Sequence, residues 1–536
     1  MSPTVPSVRP RSRQDLCWTA EVVAREYPGR VAVIDAEQGV RRTYAEFDAR
    51  ARRVANALER LGIGPGDRFG LLMQNCVEYL EVVYGAAKIG ATVVLINRRL
   101  SPREMAYELT DSQSAGLVYS TRYADTATEV LSHLDRPLWS CQAAQGARRI
   151  TADHDFEDLL AAAGDHRTRG DVDLADAGWV IIYTSGTTGR PKGVVLSQAN
   201  IVAADDITAR FVWGRYRDRL GPVVRGLVTA GLNHIGGLIT SSTPVLADGG
   251  TLVLLDDFDP VKMLRTIERY RVNFAFSIGM MWNAVVEQDL AAYDLSSLQV
   301  VGTCIAQHTD EQLRQLSEGL GAEVFFMFGQ TETSTGLVTT RHTTDLILRR
   351  GTLGKPHGYV DVRIVDAAGA EVAPGEVGEL QYRGPSVFKE YFGRPGDTEA
   401  AFADGWFRSG DLVRADEDGY LYFVDRLKDM IKSGGLNVFT VEVERVLLDH
   451  PAIADAAVVG IPDPRWGEAV TAFVVPEAEA VVAEDDVIAF CRDRIAHYKC
   501  PKAVHIVDRM PVNPLGKKLK HELRAMVLQE RAAALS

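Results

Sequence analysis

The sequence predicts an α/β protein of two domains, the larger of which is built around buried parallel sheets. Its 536 residues are too many for one simple hydrophobic core. Short apolar runs alternate with helical patterns over most of the chain, which is typical of βαβ units in a parallel sheet. Towards the end, Gly-punctuated short strands and then a charged segment replace this pattern. These changes predict a β-rich appendage followed by a small separate domain.

Capping and periodicity predict the first elements. Thr43 and Glu46 have the spacing of a capping box, and apolar residues then recur at intervals of three, four or seven as far as Gly62. A helix is therefore predicted over about 44–61. The next elements are predicted as a strand, a helix and a strand at 69–73, 77–89 and 91–96. Further buried strands are predicted at 180–183, 272–277, 298–302 and 324–328, and a helix followed by a strand at 236–255.

The C-terminal third shows the change of texture. From about 351 to 423 the chain contains short strands such as VDVRIVD and GELQYRG, which predict the β-rich appendage. The charged segment DRLKDMIKSGG begins at Asp425 and precedes roughly 100 residues with their own strand and helix signals, enough for a small domain. We place a hinge there, which gives an N-terminal domain over 1–425 and a C-terminal domain over 426–536.

Composition excludes several classes of protein. The formal net charge of −13 argues against binding to nucleic acid, which needs a basic surface. The six cysteines are scattered without a CxxC pair, which favours reduced thiols in the cytoplasm over a disulfide framework or a zinc site. The N-terminus has no apolar core of a secretory signal, and the most apolar window, 236–255, is interrupted by proline, aspartate and glycines. A cytoplasmic protein without a membrane span is predicted.

The string YTSGTTGRPKGV at 183–194 has the composition of a phosphate-binding loop and follows the apolar run 179–182. Glycines allow backbone N–H groups to converge on an anion, hydroxyl groups add donors, and a lysine adds charge. A Walker A loop is excluded because glycine, and not serine or threonine, follows the lysine. An ordinary surface turn is the alternative explanation. The candidate residues are Thr184, Ser185, Gly186, Thr187, Thr188, Gly189 and Lys192.

This loop resembles the signature loop of the adenylate-forming superfamily, which comprises acyl-CoA synthetases, adenylation domains of peptide synthetases and luciferases. Further motifs follow in the order of that family: FGQTE at 328–332, WFRSGD at 406–411, DRLKD with IKSGG at 425–435, and PVNPLGK at 511–517. A weaker match is LNHIGG at 232–237. The resemblance extends from about residue 12 to the C-terminus and is most like an acyl-CoA ligase.

The resemblance implies a fold, a reaction and its cofactors. The fold is a large N-terminal domain of parallel-sheet α/β subdomains plus a small β-barrel-like part, and a small mobile α+β C-terminal domain. In the first half-reaction a carboxylic acid attacks the α-phosphate of ATP, with Mg²⁺, to give an acyl-adenylate and pyrophosphate. In the second, the thiol of coenzyme A displaces AMP. Because the acid and the phosphate repel each other, positive charge is needed between them.

The resemblance also assigns roles to single residues. The catalytic set is Lys517 between the carboxylate and the α-phosphate, Thr331 on the α-phosphate, Glu332 on the metal, and His234 where the acid enters. Gly302 would line the acyl and adenine pockets, Phe328 would stack on adenine, and Asp411 and Arg426 would bind the ribose. The nucleotide- and CoA-binding set consists of the loop residues above with Gly302, Phe328, Gly329, Gln330, Asp411, Arg426, Lys432, Gly434 and Gly435.

Lys428 stands at the hinge of the family. The resemblance implies that the small domain rotates there after adenylation, withdraws Lys517 and presents the 433–435 loop to the pantetheine tunnel, with glycine at Gly435 to keep the tunnel wall close.

The sequence departs from the family pattern at a few positions. Thr303 and Cys304 replace residues of the acyl-pocket wall and are expected to reshape it. Asp425 replaces a frequent glycine, and Thr440 replaces a proline before a helix, where we predict a threonine N-cap.

These observations predict a carboxylic acid:CoA ligase that forms AMP. The alternative is an adenylating enzyme that passes the acyl group to a carrier protein or an amine in natural-product biosynthesis. A non-catalytic nucleotide-binding or scaffolding protein of the same fold is disfavoured, because the chain retains Lys192, Glu332, Asp411, Arg426 and Lys517 together. No Phe-Asp pair stands near 232–237, which favours an acid without an α-ammonium group. The sequence leaves open whether the acid is aliphatic, alicyclic or aromatic, and it leaves open the final acceptor, the oligomeric state and the pathway.

Overall fold

The computed structural model describes residues 15–143, 152–166, 174–184, 191–304, 310–340, 342–478, 480–512 and 518–535. The chain divides into two compact units. Unit 1 comprises Met1–Val362 and Tyr382–Phe407, and unit 2 comprises Arg363–Gln381 and Arg408–Ser536. Unit 2 thus includes part of the β-rich appendage as well as the C-terminal region. The predicted boundary between residues 425 and 426 concerns a moving domain, and it stays a prediction.

One sheet of unit 1 is parallel through most of its width, as the βαβ rhythm predicts. An antiparallel strand closes it at one side, and two antiparallel strands follow at the other. The predicted strands at 272–277, 298–302 and 324–328 are confirmed here. In spatial order the strands are Arg41–Thr43, Val31–Asp35, Thr251–Leu254, Arg225–Val228, Phe274–Ile278, Val300–Cys304, Glu323–Gly329, Gly336–Thr339 and Thr352–Pro356.

A second sheet of unit 1 contains the strands that flank the predicted phosphate loop. It begins with two antiparallel pairings and continues as parallel strands. The predicted strands at 69–73, 91–96 and 180–183 are confirmed. In spatial order the strands are Glu390–Tyr391, Lys192–Ser197, Gly178–Thr184, Thr92–Leu95, Arg68–Leu72, Gly116–Ser120, Trp139–Ala143 and His154–Asp155.

The helices of unit 1 confirm the capping and periodicity arguments. The capping box is present, because Thr43 Oγ1 accepts from the backbone of Glu46 while the Glu46 carboxylate accepts from the backbone of Thr43. The helix ends at Arg60, and the next predicted helix has its predicted bounds. The α-helices are Leu16–Glu26, Tyr44–Arg60, Val77–Ile89, Pro102–Asp111, Ala124–Ser132, Phe156–Ala163, Gln198–Thr208, Gly214–Leu220, Thr243–Ala247, Pro260–Tyr270, Gly279–Val286, Asp310–Arg314, Thr343–Leu348 and Pro395–Ala400.

Short helical turns complete unit 1. The predicted helix within 236–255 is divided into a π-turn and the helix Thr243–Ala247, and the strand Thr251–Leu254 follows. The π-turns are Ala209–Trp213, Gly236–Thr240 and Gln315–Gly319. The 3₁₀ turns are Thr121–Tyr123, Leu290–Ala292 and Thr331–Thr333. The last of these contains two residues predicted to take part in catalysis.

The strands of the β-rich appendage lie mostly in unit 2, which confirms the strands predicted from VDVRIVD and GELQYRG. They follow each other in the order Asp361–Val365, Val377–Arg383, Trp406–Ala415 and Leu421–Arg426. The short strand Phe402–Ala403 pairs with the start of Trp406–Ala415 within unit 1.

The C-terminal part of unit 2 has its own sheet and core. The strand Gly467–Pro476 lies between antiparallel Ile453–Asp463 and parallel Ala503–Ile506. Its core includes Val443, Val458, Val470 and Val487. The remaining strands and helices are Ile431–Ser433, Leu436–Val438, Thr440–Leu448, Glu484–Arg492 and Lys520–Leu535.

The described residues bear on two further expectations. All six cysteines are among them, and each is a free thiol. In the described ranges, every helix is too short or too polar to cross a lipid bilayer.

Candidate active site

The predicted phosphate loop joins the two strands of an antiparallel hairpin. Gly178–Thr184 pairs with Lys192–Ser197, and Thr184 faces Lys192 across the pair. The hairpin therefore brings two of the predicted nucleotide-binding residues side by side at the base of the loop. The predicted residues that lie outside the described ranges are Ser185, Gly186, Thr187, Thr188 and Gly189.

The Lys192 ammonium group pairs with a carboxylate and lies near an aromatic ring. Its Nζ is 3.1 Å from Asp397 Oδ1 and 5.2 Å from the centroid of the Tyr391 ring. The side chain of Lys192 is only 13% exposed, so the cation is largely withdrawn from water. A lysine in this position can bind phosphate oxygens, which would replace Asp397 as its counterion.

Polar side chains that we did not predict hold both ends of the loop. Tyr183 Oη donates to Asp111 Oδ2 at 2.8 Å, and Arg394 Nη2 donates to Asp111 Oδ1 at 3.0 Å. Tyr107 Oη donates to the backbone oxygen of Pro191 at 3.1 Å. Tyr183 precedes the loop and Pro191 follows it, so these bonds fix the points between which the loop is held. Of these residues, only Tyr183 and Pro191 carried a signal, because they belong to the signature string.

Glu332 belongs to a tight turn that follows a buried strand. The strand Glu323–Gly329 ends, and the 3₁₀ turn Thr331–Thr333 begins after Gln330. The backbone N–H of Gln330 donates to Thr333 Oγ1 at 3.0 Å, which closes the start of the turn. Thr331 and Glu332 are both partly exposed. The turn therefore presents a hydroxyl and a carboxylate at the end of the sheet.

Both the side chain and the backbone of Glu332 are held by one segment. Tyr391 Oη donates to Glu332 Oε1 at 2.9 Å, and the N–H of Phe388 donates to Glu332 O at 2.7 Å. Gly329 is required nearby, because a Cβ there would lie 2.5 Å from Thr335 O. Phe328 is partly exposed at the strand end, as a ring that stacks on a base would be.

Gly302 lies in the strand Val300–Cys304 and is packed between aromatic rings. A Cβ at this position would come within 2.3 Å of Phe276 Cδ2 and 2.6 Å of Phe325 Cζ. The indole of Trp282 donates to Gly302 O at 3.0 Å. Glycine is therefore needed to let these rings close on the backbone, a packing reason that adds to the predicted role of lining a pocket.

The two departures beside Gly302 differ in exposure. Thr303 is fully buried, whereas Cys304 is partly exposed at the end of the strand. Burial raises the pKa of the Cys304 thiol to about 12, so this cysteine remains protonated at neutral pH. Cys304 acts there as a small apolar side chain, and its effect on the acyl pocket stays a prediction.

His234 is partly exposed, and its surroundings favour the neutral imidazole. Burial, with the neighbouring guanidinium groups of Arg99 and Arg98, lowers the pKa of His234 from 6.5 to about 4. Its Nε2 is 3.1 Å from Asn233 Nδ2. At neutral pH His234 can therefore interact with a carboxylate by a hydrogen bond, but not by charge.

Asn75 holds the backbone that leads to His234. Its Oδ1 accepts from the N–H of Leu232 at 2.8 Å, and its Nδ2 donates to Ala230 O at 2.9 Å. Gly237 is also required, because a Cβ there would lie 2.3 Å from Gly231 O. Sequence reasoning missed Asn75, which is far from this loop along the chain.

The donor set of unit 1 fits magnesium. Within the described ranges, no group of three or more His, Cys, Asp or Glu side chains could enclose a metal ion. Glu332 offers one carboxylate, and Mg²⁺ commonly takes one or two carboxylates when phosphates and water complete its shell.

In unit 2, the two predicted ribose-binding residues form a cross-strand pair. Asp411 in the strand Trp406–Ala415 faces Arg426 in the strand Leu421–Arg426. Arg426 Nε is 2.6 Å from Asp411 Oδ1, and their side chains are 31% and 1% exposed. Asp411 is therefore a buried residue within a strand. A buried carboxylate oriented by a guanidinium group can accept hydrogen bonds from a diol.

The prediction that Thr440 is an N-cap is wrong. The helix is Thr440–Leu448, its N-cap is Phe439, and Thr440 is the first helical residue. Thr440 instead donates to Asp425, through its backbone N–H and through Oγ1 at 2.9 Å from Asp425 Oδ2. Asp425, which is 1% exposed, thus supplies the capping carboxylate from a distant strand. Lys520 Nζ donates to Thr440 Oγ1 at 2.7 Å.

The two departures from the family pattern therefore contact each other. With a glycine in place of Asp425, the donors of Thr440 would lose their side-chain acceptor. With a proline in place of Thr440, the backbone N–H that donates to Asp425 would be absent. Burial raises the pKa of Asp425, and the nearby Lys520 ammonium group partly opposes this shift.

The predicted hinge and CoA-binding residues are exposed in turns and a short strand of unit 2. Lys428 is exposed in the turn after the strand Leu421–Arg426, and Lys432 is exposed in Ile431–Ser433. Gly434 and Gly435 form the two-residue turn of the next hairpin, with φ of 60° and 79°. The positive φ values are the reason for glycine in this turn. Steric contact is not the reason at Gly435, since nothing lies within 4 Å of a Cβ added there. The local geometry thus explains a glycine for which we had invoked a tunnel wall.

Lys517 lies outside the described residues, which border it at Val512 and Lys518. Val512 and Lys518, which border the segment 513–517, pair across an antiparallel bridge. Lys518 Nζ lies 2.6 Å from Asp455 Oδ1 and 2.5 Å from Ala456 O. Lys518 is therefore a structural lysine.

Comparison with known proteins agrees with these sites. Residues 20–392 match the family described as AMP-binding enzyme, and residues 442–517 match the AMP-binding enzyme C-terminal domain. The first match contains the phosphate-loop hairpin and Glu332, and the second ends at Lys517.

Individual relatives are similar over nearly the whole chain. A feruloyl-CoA synthase of Amycolatopsis sp is 37% identical over 504 residues, which are 94% of this chain and 96% of the relative. The long-chain-fatty-acid–CoA ligase FadD13 of Mycobacterium tuberculosis is 35% identical over 515 residues, with 95% and 98% covered. The solved structure of the amide bond synthetase McbA from Marinactinospora thermotolerans matches with a TM-score of 0.81 at 30% identity and covers 96% and 99%.

These matches confirm the family, the fold class and the enzyme type predicted from the motifs. The chain belongs to the AMP-binding enzyme family, within the adenylate-forming superfamily, as an ATP-dependent ligase of the acyl-CoA synthetase type.

Proposed function

We propose that the protein joins a carboxylic acid to coenzyme A in two steps at the expense of ATP and with Mg²⁺. The observation that carries this proposal is the arrangement in unit 1 of Lys192, Tyr391 and Glu332. The side chain of Tyr391 contacts both the Lys192 ammonium group, which suits phosphates, and the Glu332 carboxylate, which suits a metal ion. MgATP needs both kinds of group close together.

In the first step, a carboxylate oxygen of the acid attacks the α-phosphorus of ATP. The bond between the α-phosphorus and its bridging oxygen breaks, and pyrophosphate leaves. We assign the β- and γ-phosphates to Lys192 and the hydroxyl-rich loop, and the α-phosphate to Thr331. Magnesium on Glu332 would neutralise phosphate charge.

Other residues bind the rest of the nucleotide and the acid. We assign the ribose hydroxyls to Asp411 with Arg426, and adenine to the ring of Phe328. The neutral imidazole of His234 would contact the incoming carboxylate by a hydrogen bond. Lys517 would lie between the carboxylate and the α-phosphate and reduce their repulsion.

In the second step, the CoA sulfur attacks the acyl carbon of the adenylate, AMP leaves, and the thiol loses its proton. We assign pantetheine to the hairpin turn of Gly434 and Gly435 with the adjacent Lys432. Rotation about Lys428 would exchange Lys517 for this turn. The exposure of these residues supports the assignment.

The substrate class is a carboxylic acid without an α-ammonium group. The relatives' names include feruloyl-CoA and long-chain fatty acids, so aromatic and aliphatic acids are the two classes to compare. The McbA match supports a second candidate function, in which an amine in place of CoA receives the acyl group.

The test measures acid-dependent release of pyrophosphate and CoA-dependent release of AMP. The purified enzyme receives ATP, Mg²⁺ and either ferulic or hexadecanoic acid, with CoA, an amine or neither. Formation of thioester supports the proposal. Formation of amide without thioester supports the second function, and adenylate with neither product would contradict the CoA assignment.

Lys517→Ala tests the proposed catalytic lysine. Adenylation should fall about 100-fold or more, because a charge directed at the transition state is lost. ATP binding and melting temperature should persist. Lys518→Ala is the matched control, since it removes a neighbouring lysine that pairs with Asp455, and it should keep most of the rate. Equal rates in both variants would remove Lys517 from its role.

A further inference from the structure

The strand Glu390–Tyr391 and its flanks contact both halves of the proposed phosphate site. Tyr391 lies opposite Val194 in the antiparallel pairing with the phosphate-loop hairpin. The N–H of Phe392 donates to Gly193 O at 2.8 Å, directly after Lys192. The backbone of this segment is thus fixed to the strand that begins with the predicted phosphate-binding lysine.

The side chain of Tyr391 reaches the other half of the site. Its hydroxyl donates to Glu332 Oε1 at 2.9 Å, although the two residues are 59 positions apart. The phenol is the donor of this bond, since an ionised carboxylate can only accept.

The ring of Tyr391 packs against an aromatic ring and lies near a cation. Its centroid is 4.8 Å from that of the buried Phe388, which stacks in turn on Phe402 at 5.5 Å. The Lys192 ammonium lies 5.2 Å from the ring, within the range of a cation–π interaction, and pairs with Asp397. A ring packed in this way cannot change rotamer without disturbing its neighbours.

We infer that Tyr391 is a positioning residue of the adenylation site, which sets the orientation of the Glu332 carboxylate relative to the Lys192 ammonium group. This inference rests on the proposed function, in which Glu332 takes the metal ion and Lys192 the departing phosphates. Tyr391 itself contacts neither the nucleotide nor the metal in this role. It acts through Glu332, as the outer partners of metal ligands do in general.

The test uses Tyr391→Phe, which keeps the ring and removes the hydroxyl. Calorimetry measures ATP binding to the full-length protein with EDTA and with increasing Mg²⁺, in the absence of acid. Loss of an outer-shell partner typically lowers metal affinity about 10- to 100-fold. We expect at least a 10-fold rise in the Mg²⁺ concentration at half-effect, with ATP affinity in EDTA unchanged.

Tyr422→Phe is the matched control. Tyr422 Oη donates to Asp416 Oδ2 at 3.0 Å in unit 2, so the variant loses the same kind of bond away from Glu332. It should bind ATP and Mg²⁺ as the wild type does. In a Glu332→Gln background, Tyr391→Phe should have little further effect on the Mg²⁺ dependence, because its partner is already altered.

The outcomes separate the inference from the function on which it rests. A Tyr391→Phe protein with the wild-type Mg²⁺ dependence would overturn the inference alone. An equal loss of ATP affinity with and without Mg²⁺ would do the same, since it would indicate a merely structural tyrosine. A wild-type protein with neither Mg²⁺-dependent ATP binding nor acid-dependent pyrophosphate release would overturn both.

A second measurement keeps Tyr391 intact, in case the variant does not fold. In protein labelled with [ζ-¹³C]tyrosine, the resonance of a tyrosine bonded to Glu332 should shift when MgATP binds. The same resonance should be displaced in Glu332→Gln. If no tyrosine resonance is displaced in that variant, the contact and the inference fail.

Discussion

The contact between Asp425 and Thr440 should account for a measurable part of the local stability of unit 2. The Asp425 carboxylate is buried and accepts from both donors of Thr440. Hydrogen bonds to charged groups contribute about 1.5 to 3 kcal/mol each. Loss of either partner should therefore cost about 3 kcal/mol, or slightly more for Asp425→Gly because glycine weakens a strand.

The second substitution, Thr440→Pro, tests the contact with little damage to the helix. Thr440 is the first helical residue, where proline is tolerated. Phe439 before it has φ −84° and ψ 120°, an extended conformation that a following proline allows. Once one partner is absent, loss of the other costs less. The double variant should therefore lose about 2 kcal/mol less than the sum of the two single variants.

Hydrogen exchange of the helix Thr440–Leu448, followed by mass spectrometry, measures these costs locally. A coupling of about 2 kcal/mol corresponds to about a 30-fold difference in exchange rate from the additive expectation. The helix Glu484–Arg492 in the same unit serves as the internal reference. If the two substitutions add within about 0.5 kcal/mol, Asp425 and Thr440 do not stabilise each other and the reasoning is refuted.

The remaining predictions concern the hinge and the acid-binding histidine. Lys428→Pro fixes one backbone angle in an exposed turn, so it should slow thioester formation and spare adenylation. Single-turnover assays of each step measure this difference, and Lys428→Ala is the control. Equal loss of both steps would count against a pivot at this residue. The pKa of His234 is lower in the folded protein than in the unfolded chain, so the unfolded chain takes up a proton first as the pH falls. The stability contribution of His234 is therefore present above pH 6.5 and lost as the pH falls towards 4. The melting temperature of the wild type should therefore fall more than that of His234→Gln between pH 7 and pH 4.5, and parallel falls would refute the shift.

Local patterns predicted most of the fold. The capping box of Thr43 and Glu46 and the apolar spacing of Val77–Ile89 depend on residues a few positions apart, and the structure confirms both. The parallel sheets were predicted from the alternation of short apolar runs with helical patterns, and the structure contains them.

The errors and omissions have one physical cause, which is contact between residues distant in sequence. Thr440 has the local propensity of an N-cap, but Asp425 supplies the carboxylate from 15 positions earlier, so tertiary contact overrides propensity. Tyr391 and Asp111 carry no local pattern that marks them, because their partners lie 59 and 72 positions away. Motif spacing identified the residues assigned to substrates. Only the folded structure identified the side chains that contact and position those residues.

The position of the Asp425–Thr440 contact along the chain gives it a second consequence. Asp425 precedes Lys428 and Thr440 follows it, so rotation about a pivot at Lys428 would pull the two partners apart. The contact would then stabilise the conformation in which Asp425 and Thr440 meet relative to one in which they are apart. A bias of about 2 kcal/mol corresponds to about a 30-fold preference between conformations. The timing between activation of the acid and its transfer would thus be set at two positions where this chain differs from its family.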